Sequence, residues 1–195
     1  MQFYLERHKI RRDMRVLHFA PERGLYQWLK PQIDDYVTAD FDLERYTHIP
    51  DINFVDLTDP DSYERFGTFD LIMHAHVIEH IPYNYSALLL RLHKMLRPGG
   101  IHAFSVPVYG SFYSEHWGPM SDEEATQRFG QFDHIRRFSP IDLERTIGAL
   151  FRLQDPDLNA EFGAERLDEA RFPTDKRVGW NGDSVFWLTP EDCRF

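Results

Sequence analysis

Short apolar runs alternate with amphipathic stretches through the first 106 residues of the chain. Val16-Leu17-His18-Phe19-Ala20 precedes Pro21, and Leu25, Trp28 and Leu29 then fall at helical spacing. This predicts a strand, then a helix with Pro21 at its first position, where a missing N–H costs nothing, and Pro31 as its stop. Tyr36 to Ala39 and Ile52 to Val55 predict a second and a third strand, which end at Asp40 and Asp56. Phe69 to Met73 is the fourth. After it Leu88, Leu92, Met95 and Leu96 share one helical face, and Pro98-Gly99-Gly100 closes that helix before a fifth strand, Ile101 to Val106.

Strands that alternate with helices in this way favour a doubly wound, mostly parallel α/β sheet over a sandwich or a bundle. In such sheets ligands bind outside the carboxyl ends of the strands, so the polar ends of these runs are the first place to look for chemistry. Beyond Pro107 the pattern changes. Tyr109 to Met120 is rich in Gly, Ser and aromatic residues, and the 107–138 segment reads as an irregular lid or substrate segment over the site. Ser139 and Pro140 predict the start of a further helix with Leu143, Ile147 and Leu150 facing inward. Gln154 to Asn181 carries little pattern, and Ser184 to Leu188 reads as a final strand.

Composition narrows the setting. At 195 residues and 42% hydrophobic, the chain is long enough for one two-sided core and short for two, so 1–195 is read as a single domain. No run approaches the roughly 18 apolar residues of a membrane span. The opening Met1 to Arg15 lacks the apolar region of a secretory signal, and the lone Cys193 cannot pair within the chain; both point to a cytoplasmic protein without a membrane partner. A net charge of −10 argues against a broad nucleic-acid surface. The basic run His8, Lys9, Arg11, Arg12 and Arg15 reads as a solvated face.

Among candidate groups, Asp40 and Asp56 stand out, because a carboxylate at a strand's C-terminal end can accept two hydrogen bonds from a ribose diol or one from an adenine amino group. The loop His18 to Gly24 is where a nucleoside would approach the backbone, yet only Gly24 remains of the glycines expected there, and no G-x-G-x-x-G is present. His76-Val77-Ile78-Glu79-His80 matches the inverted zinc-peptidase pattern H-x-x-E-H. That pattern needs a continuous helix, which Pro82 and the preceding strand deny, so no metal is assigned to it. Of ten histidines, His74, His102, His116 and His134 are candidates for acid–base work, with His116 and His134 foremost as catalytic bases.

Together, VLHFAPERG, YVTADFD, NFVDLTD, FDLIMHAHVIEHIP and LHKMLRPGGIHAFSVP resemble the class I S-adenosylmethionine-dependent methyltransferases, over roughly residues 14 to 107. The group includes ubiquinone-biosynthesis-type enzymes. FGQFDHIRRF followed by a helix further resembles a bacterial subgroup whose first loop reads HFAPE. The resemblance implies a seven-stranded Rossmann-like sheet and S-adenosyl-L-methionine as cofactor. It implies that Phe19, Ala20, Pro21, Glu22 and Gly24 border the methionine part, that Asp40 holds the ribose, and that Asp56 with Leu57 meets the adenine. His74, Ala75 and His76 would line the cofactor after the fourth strand. Where that family has an acidic residue on the first strand, His18 stands here, and Glu22 is read as taking over the ammonium contact. The expected reaction is methylation of a small molecule or sugar, at oxygen. The alternative is a catalytically silent binding protein on the same fold.

Overall fold

The computed structural model describes all 195 residues. Its main sheet has six strands: β1 (Arg15–Phe19), β2 (Asp35–Asp40), β3 (Asn53–Phe54), β4 (Phe69–Ala75), β5 (Leu96–Ser105) and β8 (Phe186–Leu188). They run in the order β3-β2-β1-β4-β5-β8, all parallel except β8, which pairs antiparallel with β5 through His102 and Leu188. The expected seventh strand is not in this sheet. Two further short strands, β6 (Ser114–Glu115) and β7 (Arg136–Arg137), form a separate antiparallel pair instead.

Successive strand residues point to opposite faces, and both faces are covered. Leu17 and Ile72 join one apolar cluster, which α4 (Tyr85–Lys94) closes with Leu88, Leu89 and Leu92. Val16, Leu71 and Met73 join the other, closed by Leu5 of α1 (Gln2–Arg7) and by Tyr26 and Leu29 of α2 (Arg23–Leu29). This two-sided burial is why the strands read as continuous apolar runs rather than as alternation.

Several boundaries differ from the sequence pattern, each for a local reason. Pro21 lies outside α2, whose N-cap is Glu22. The third strand keeps only two residues, and α3 (Pro60–Glu64) follows it, capped by the Asp59 side chain. Helix α4 stops at Lys94, so that Leu96 already pairs with Phe69. Strand β5 therefore runs through Pro98-Gly99-Gly100, with Gly99 at φ 73° and a register shift where the chain bends. The helix expected after Ser139 is broken: a 3₁₀ turn covers Leu143–Arg145, and α6 is only Ile147–Leu150.

The 107–138 segment is more regular than its composition predicts. Helix α5 (Asp122–Phe129) has a reciprocal Ser121–Glu124 capping box, and Val108, Phe129 and Phe138 are buried. The unpatterned region contains α7 (Leu158–Phe162) and α8 (Ala164–Glu169), which pack Leu158 and Leu167 against Tyr4. In the basic run, Arg11, Arg12 and Arg15 are each paired with a carboxylate: Asp13, Asp34 and Asp35. No helix is long and apolar enough to cross a membrane.

Candidate functional site

The strand order reverses between β1 and β4, since β2 and β3 lie on one side and β5 on the other. Neighbouring crossovers diverge at such a switch point and leave a crevice at the carboxyl edge of the sheet. A cavity of about 700 Å³ sits there. Phe19 and Ala20 line it from the end of β1, Asp40 and Phe41 from β2, Asp56 and Leu57 from beyond β3, and His76 and His80 from beyond β4.

Two residues on its wall carry left-handed backbone without being glycine: Ala20 at φ 48° and His76 at φ 52°. Such conformations cost on the order of 1–3 kcal/mol and persist only where the surroundings fix them. Each is pinned through its N–H to the adjacent strand, Ala20 to the Ala39 carbonyl at 3.0 Å and His76 to the Ser105 carbonyl at 3.1 Å. Ala20 thus adopts the turn that the missing glycines would have supplied.

The two aspartates converge on this cavity as fixed acceptors. Asp40 takes the Asp42 N–H on Oδ1 at 2.7 Å and the Tyr46 hydroxyl on Oδ2 at 3.1 Å. Burial, and then the charge of Asp40, raises the Tyr46 pKa, so the phenol stays the donor. Asp56 receives both the N–H and the hydroxyl of Thr58 on Oδ1, at 2.8 and 2.7 Å, which leaves Oδ2 for a ligand. A carboxylate offers about four lone-pair sites, so neither group is saturated.

The rest of the first loop turns away. Pro21 is buried, Glu22 and Gly24 are exposed, and none of the three lines the cavity. Glu22 Oε2 instead meets His18 Nε2 at 2.9 Å, while His18 Nδ1 meets the Tyr36 hydroxyl at 2.6 Å. Burial raises the Glu22 carboxyl pKa, but the hydrogen bond and charge of His18 outweigh it and hold it below the ordinary range. Glu22 thus stands beside the β1 imidazole rather than on the cavity wall.

His74 is misplaced by a sequence reading that puts it on the wall. Its side chain is 1% exposed inside the sheet, stacked on Phe104, with Nε2 3.1 Å from His102 Nε2; neither His74 nor Ala75 lines the cavity. One proton lies between the two nitrogens, and burial with no partner for either Nδ1 favours the neutral form of both rings. Burial and then the charge of His18 push the His74 pKa down to about 3, and burial takes His102 well below its usual value.

Both histidines bind protons in the unfolded chain near pH 6.5 but not in the folded one, so stability is intact above that pH and falls below it. Each contributes about 1.4 kcal/mol per pH unit once the unfolded form is protonated. Lowering the pH from 7 to 5.5 is expected to cost about 2–3 kcal/mol in urea unfolding. The double substitution His74→Leu, His102→Leu should flatten that slope. A wild-type midpoint constant over this range would contradict the neutral pair.

Beyond β4 the H-x-x-E-H residues do not share a helix. His76 has left-handed backbone and Ile78–His80 is a single 3₁₀ turn. The His76 and Glu79 side chains meet at 3.0 Å, and that hydrogen bond raises the His76 pKa despite its burial. His80 Nδ1 lies 3.3 Å from Asp133 Oδ2. The His134 ring sits edge-on to that of His80, with centroids 4.6 Å apart, and its Nδ1 faces the Phe129 carbonyl at 3.1 Å. Burial, then the charge of His80, lowers the His134 pKa. His116 is half-buried away from the cavity, beside Gly118.

Sequence reasoning missed the residues that support this wall. Arg136, fully buried, donates to Glu115 Oε1 at 2.7 Å and to the carbonyls of Ile78 and Tyr83 at 2.6 and 2.8 Å. Tyr46, Thr58 and Asp133 also belong to the lining, as does His80 of the H-x-x-E-H pattern. Asp133 reaches the wall through the apposition of FDHIRR and HVIEHIP, which no local pattern reveals.

A mostly parallel, doubly wound sheet with a crevice over its switch point places the protein among the Rossmann-like proteins. Within that class the chain belongs to the methyltransferase-domain family, whose model matches residues 2–150. No curated protein sequence matches the chain. Among solved structures, it is similar to the complex between the Haloferax volcanii Trm112 methyltransferase activator and a methyltransferase, at 16% identity and TM-score 0.54, covering 91% of this chain and 79% of that one. It is also similar to YcgJ from Bacillus subtilis, at 14% identity and TM-score 0.51, covering 89% and 78%. Coclaurine N-methyltransferase, solved with N-methylheliamine and SAH, is 19% identical with TM-score 0.49 over 73% of this chain; the chain spans only 45% of that one. At these identities the likeness concerns the fold.

Proposed function

We propose that the chain is an S-adenosylmethionine-dependent methyltransferase that acts on a small molecule or sugar, at oxygen. The observation that carries this reading is the meeting of Asp40 and Asp56, from separate strands, on one cavity at the switch point. Their open lone pairs fit an adenosine: Asp40 would hold the ribose hydroxyls, and Asp56 Oδ2 with Leu57 would meet the adenine. The close backbone turn at Ala20, beside Phe19, would border the methionine part. Glu22, turned from the cavity toward His18, is not part of this assignment.

When bound, the cofactor supplies a methyl group already activated by its sulfonium. The protein's task is then to align the acceptor and exclude water. For a hydroxyl acceptor, a proton must also be taken up. Neither His116 nor His134, the bases expected from the sequence, lines the cavity; the imidazoles on its wall are those of His76 and His80.

Calorimetric titration with S-adenosylhomocysteine is expected to show one site per chain, and Asp56→Ala to weaken it about tenfold through the lost adenine contact. A folded chain that releases no heat with either form of the cofactor would favour the silent binding protein. Unchanged affinity in the Asp56 variant would remove that residue from the site.

A further inference from the structure

Three side chains at the edge of the cavity are arranged as metal ligands. Glu79, His80 and His134 each present one ligand atom, and these atoms lie within 4.8 Å of one another. Glu79 is completely buried, yet its Oε2 has no hydrogen-bond partner. A desolvated carboxylate oxygen left this way is costly, and native structures rarely keep one without a purpose.

The hydrogen bonds around the cluster set its orientation. The Phe129 carbonyl can only accept, so His134 Nδ1, at 3.1 Å, must carry the proton and leave its lone pair on Nε2. The Asp133 carboxylate, 3.3 Å from His80 Nδ1, favours a proton on that nitrogen by its charge and so leaves the His80 lone pair on Nε2. His76 Nδ1 donates to Glu79 Oε1 at 3.0 Å, which leaves Oε2 as the oxygen free to take a ligand. An outer oxygen on each ligating histidine and a hydrogen-bonded carboxylate are the usual supporting contacts of a bound metal.

We propose that Glu79 Oε2, His80 Nε2 and His134 Nε2 form a site for a divalent transition metal, with zinc as the first candidate. Two imidazoles and a carboxylate suit zinc, and three protein ligands leave a coordination position open. Metal–ligand distances of about 2.0–2.2 Å require the three atoms to draw together by roughly an ångström. His80 can supply that movement: it stands on a single 3₁₀ turn, and its side chain is 28% exposed while the other two ligands are fixed in the interior. The sequence pattern H-x-x-E-H thus contributes two of the ligands but not the first histidine, whose place His134 takes. Since His80 and its partner Asp133 line the cavity, the open position would hold an acceptor bearing a hydroxyl or carboxylate oxygen; this last step rests on the methyltransferase reading.

Cobalt is the probe, because its visible spectrum reports ligand geometry without any turnover. Adding Co²⁺ to the metal-stripped 195-residue chain is expected to give intense visible bands that saturate at one ion per chain and vanish when Zn²⁺ is added. Glu79→Gln keeps the shape of the buried side chain, and His80→Ala alters the least buried ligand. Each is expected to weaken Co²⁺ binding at least tenfold while circular dichroism stays native. A wild-type spectrum identical to that of aqueous Co²⁺, or undiminished affinity in both variants, overturns the site. Titration of the same samples with S-adenosylhomocysteine separates this failure from that of the cofactor reading, since Asp40 and Asp56 do not depend on the metal.

Discussion

Arg136→Met is expected to destabilise the protein by about 3–5 kcal/mol, the usual cost of removing one partner from a buried ion pair. The guanidinium is fully buried near the rings of Tyr85 and Trp117 and joins three segments: Glu115 of β6, the Ile78 carbonyl in the 3₁₀ turn, and the Tyr83 carbonyl before α4. Methionine fills much of the volume but cannot donate, so a carboxylate and two carbonyls lose their partner in the interior. Against a typical total stability of about 5–15 kcal/mol, this is a large fraction. Urea unfolding followed by circular dichroism measures it. Arg136→Lys, which keeps the charge but not the fork of donors, should fall between the two. A methionine variant within about 1 kcal/mol of wild type would show that Arg136 is not the tie between the 107–138 segment and the cavity wall.

The second large effect is on binding. Asp40→Ala should cost about 1.5–3 kcal/mol in affinity for S-adenosylhomocysteine, or about ten- to a hundred-fold, because a charged acceptor of two ribose hydrogen bonds is lost. Stability should change little, since the Asp42 N–H and the Tyr46 hydroxyl lie where water can replace the carboxylate. Titration calorimetry on the folded variant reads the effect directly. Undiminished affinity would remove Asp40 from the cofactor site and leave the cavity without its principal polar anchor. The contrast between the two variants is informative: Arg136 acts on folding through buried partners, Asp40 on a ligand through a half-exposed carboxylate.

The amino-acid pattern by itself determined the strand–helix alternation, the doubly wound class and the placing of Asp40 and Asp56 at strand ends. Those features follow from burial on two faces and from polar residues appearing where a strand leaves the core, both of which are local in sequence. Only the tertiary structure decided which residues meet. That Ala20 takes a left-handed turn depends on the Ala39 carbonyl, and that Glu22 turns from the cavity depends on the buried His18. His74 was read onto the wall because its position after an apolar run looks like a strand end, but β4 continues through it and pairs it with Phe104 of β5. H-x-x-E-H marks Glu79 and His80 in the sequence, but nothing local joins His134 to them. The grouping exists because β7 and the turn before it fold back onto the 3₁₀ turn after β4, where the Ile135 N–H meets the Glu79 carbonyl at 3.0 Å and Arg136 locks the approach. Periodicity records burial along the chain, whereas convergence of side chains from separate segments is settled by packing in three dimensions.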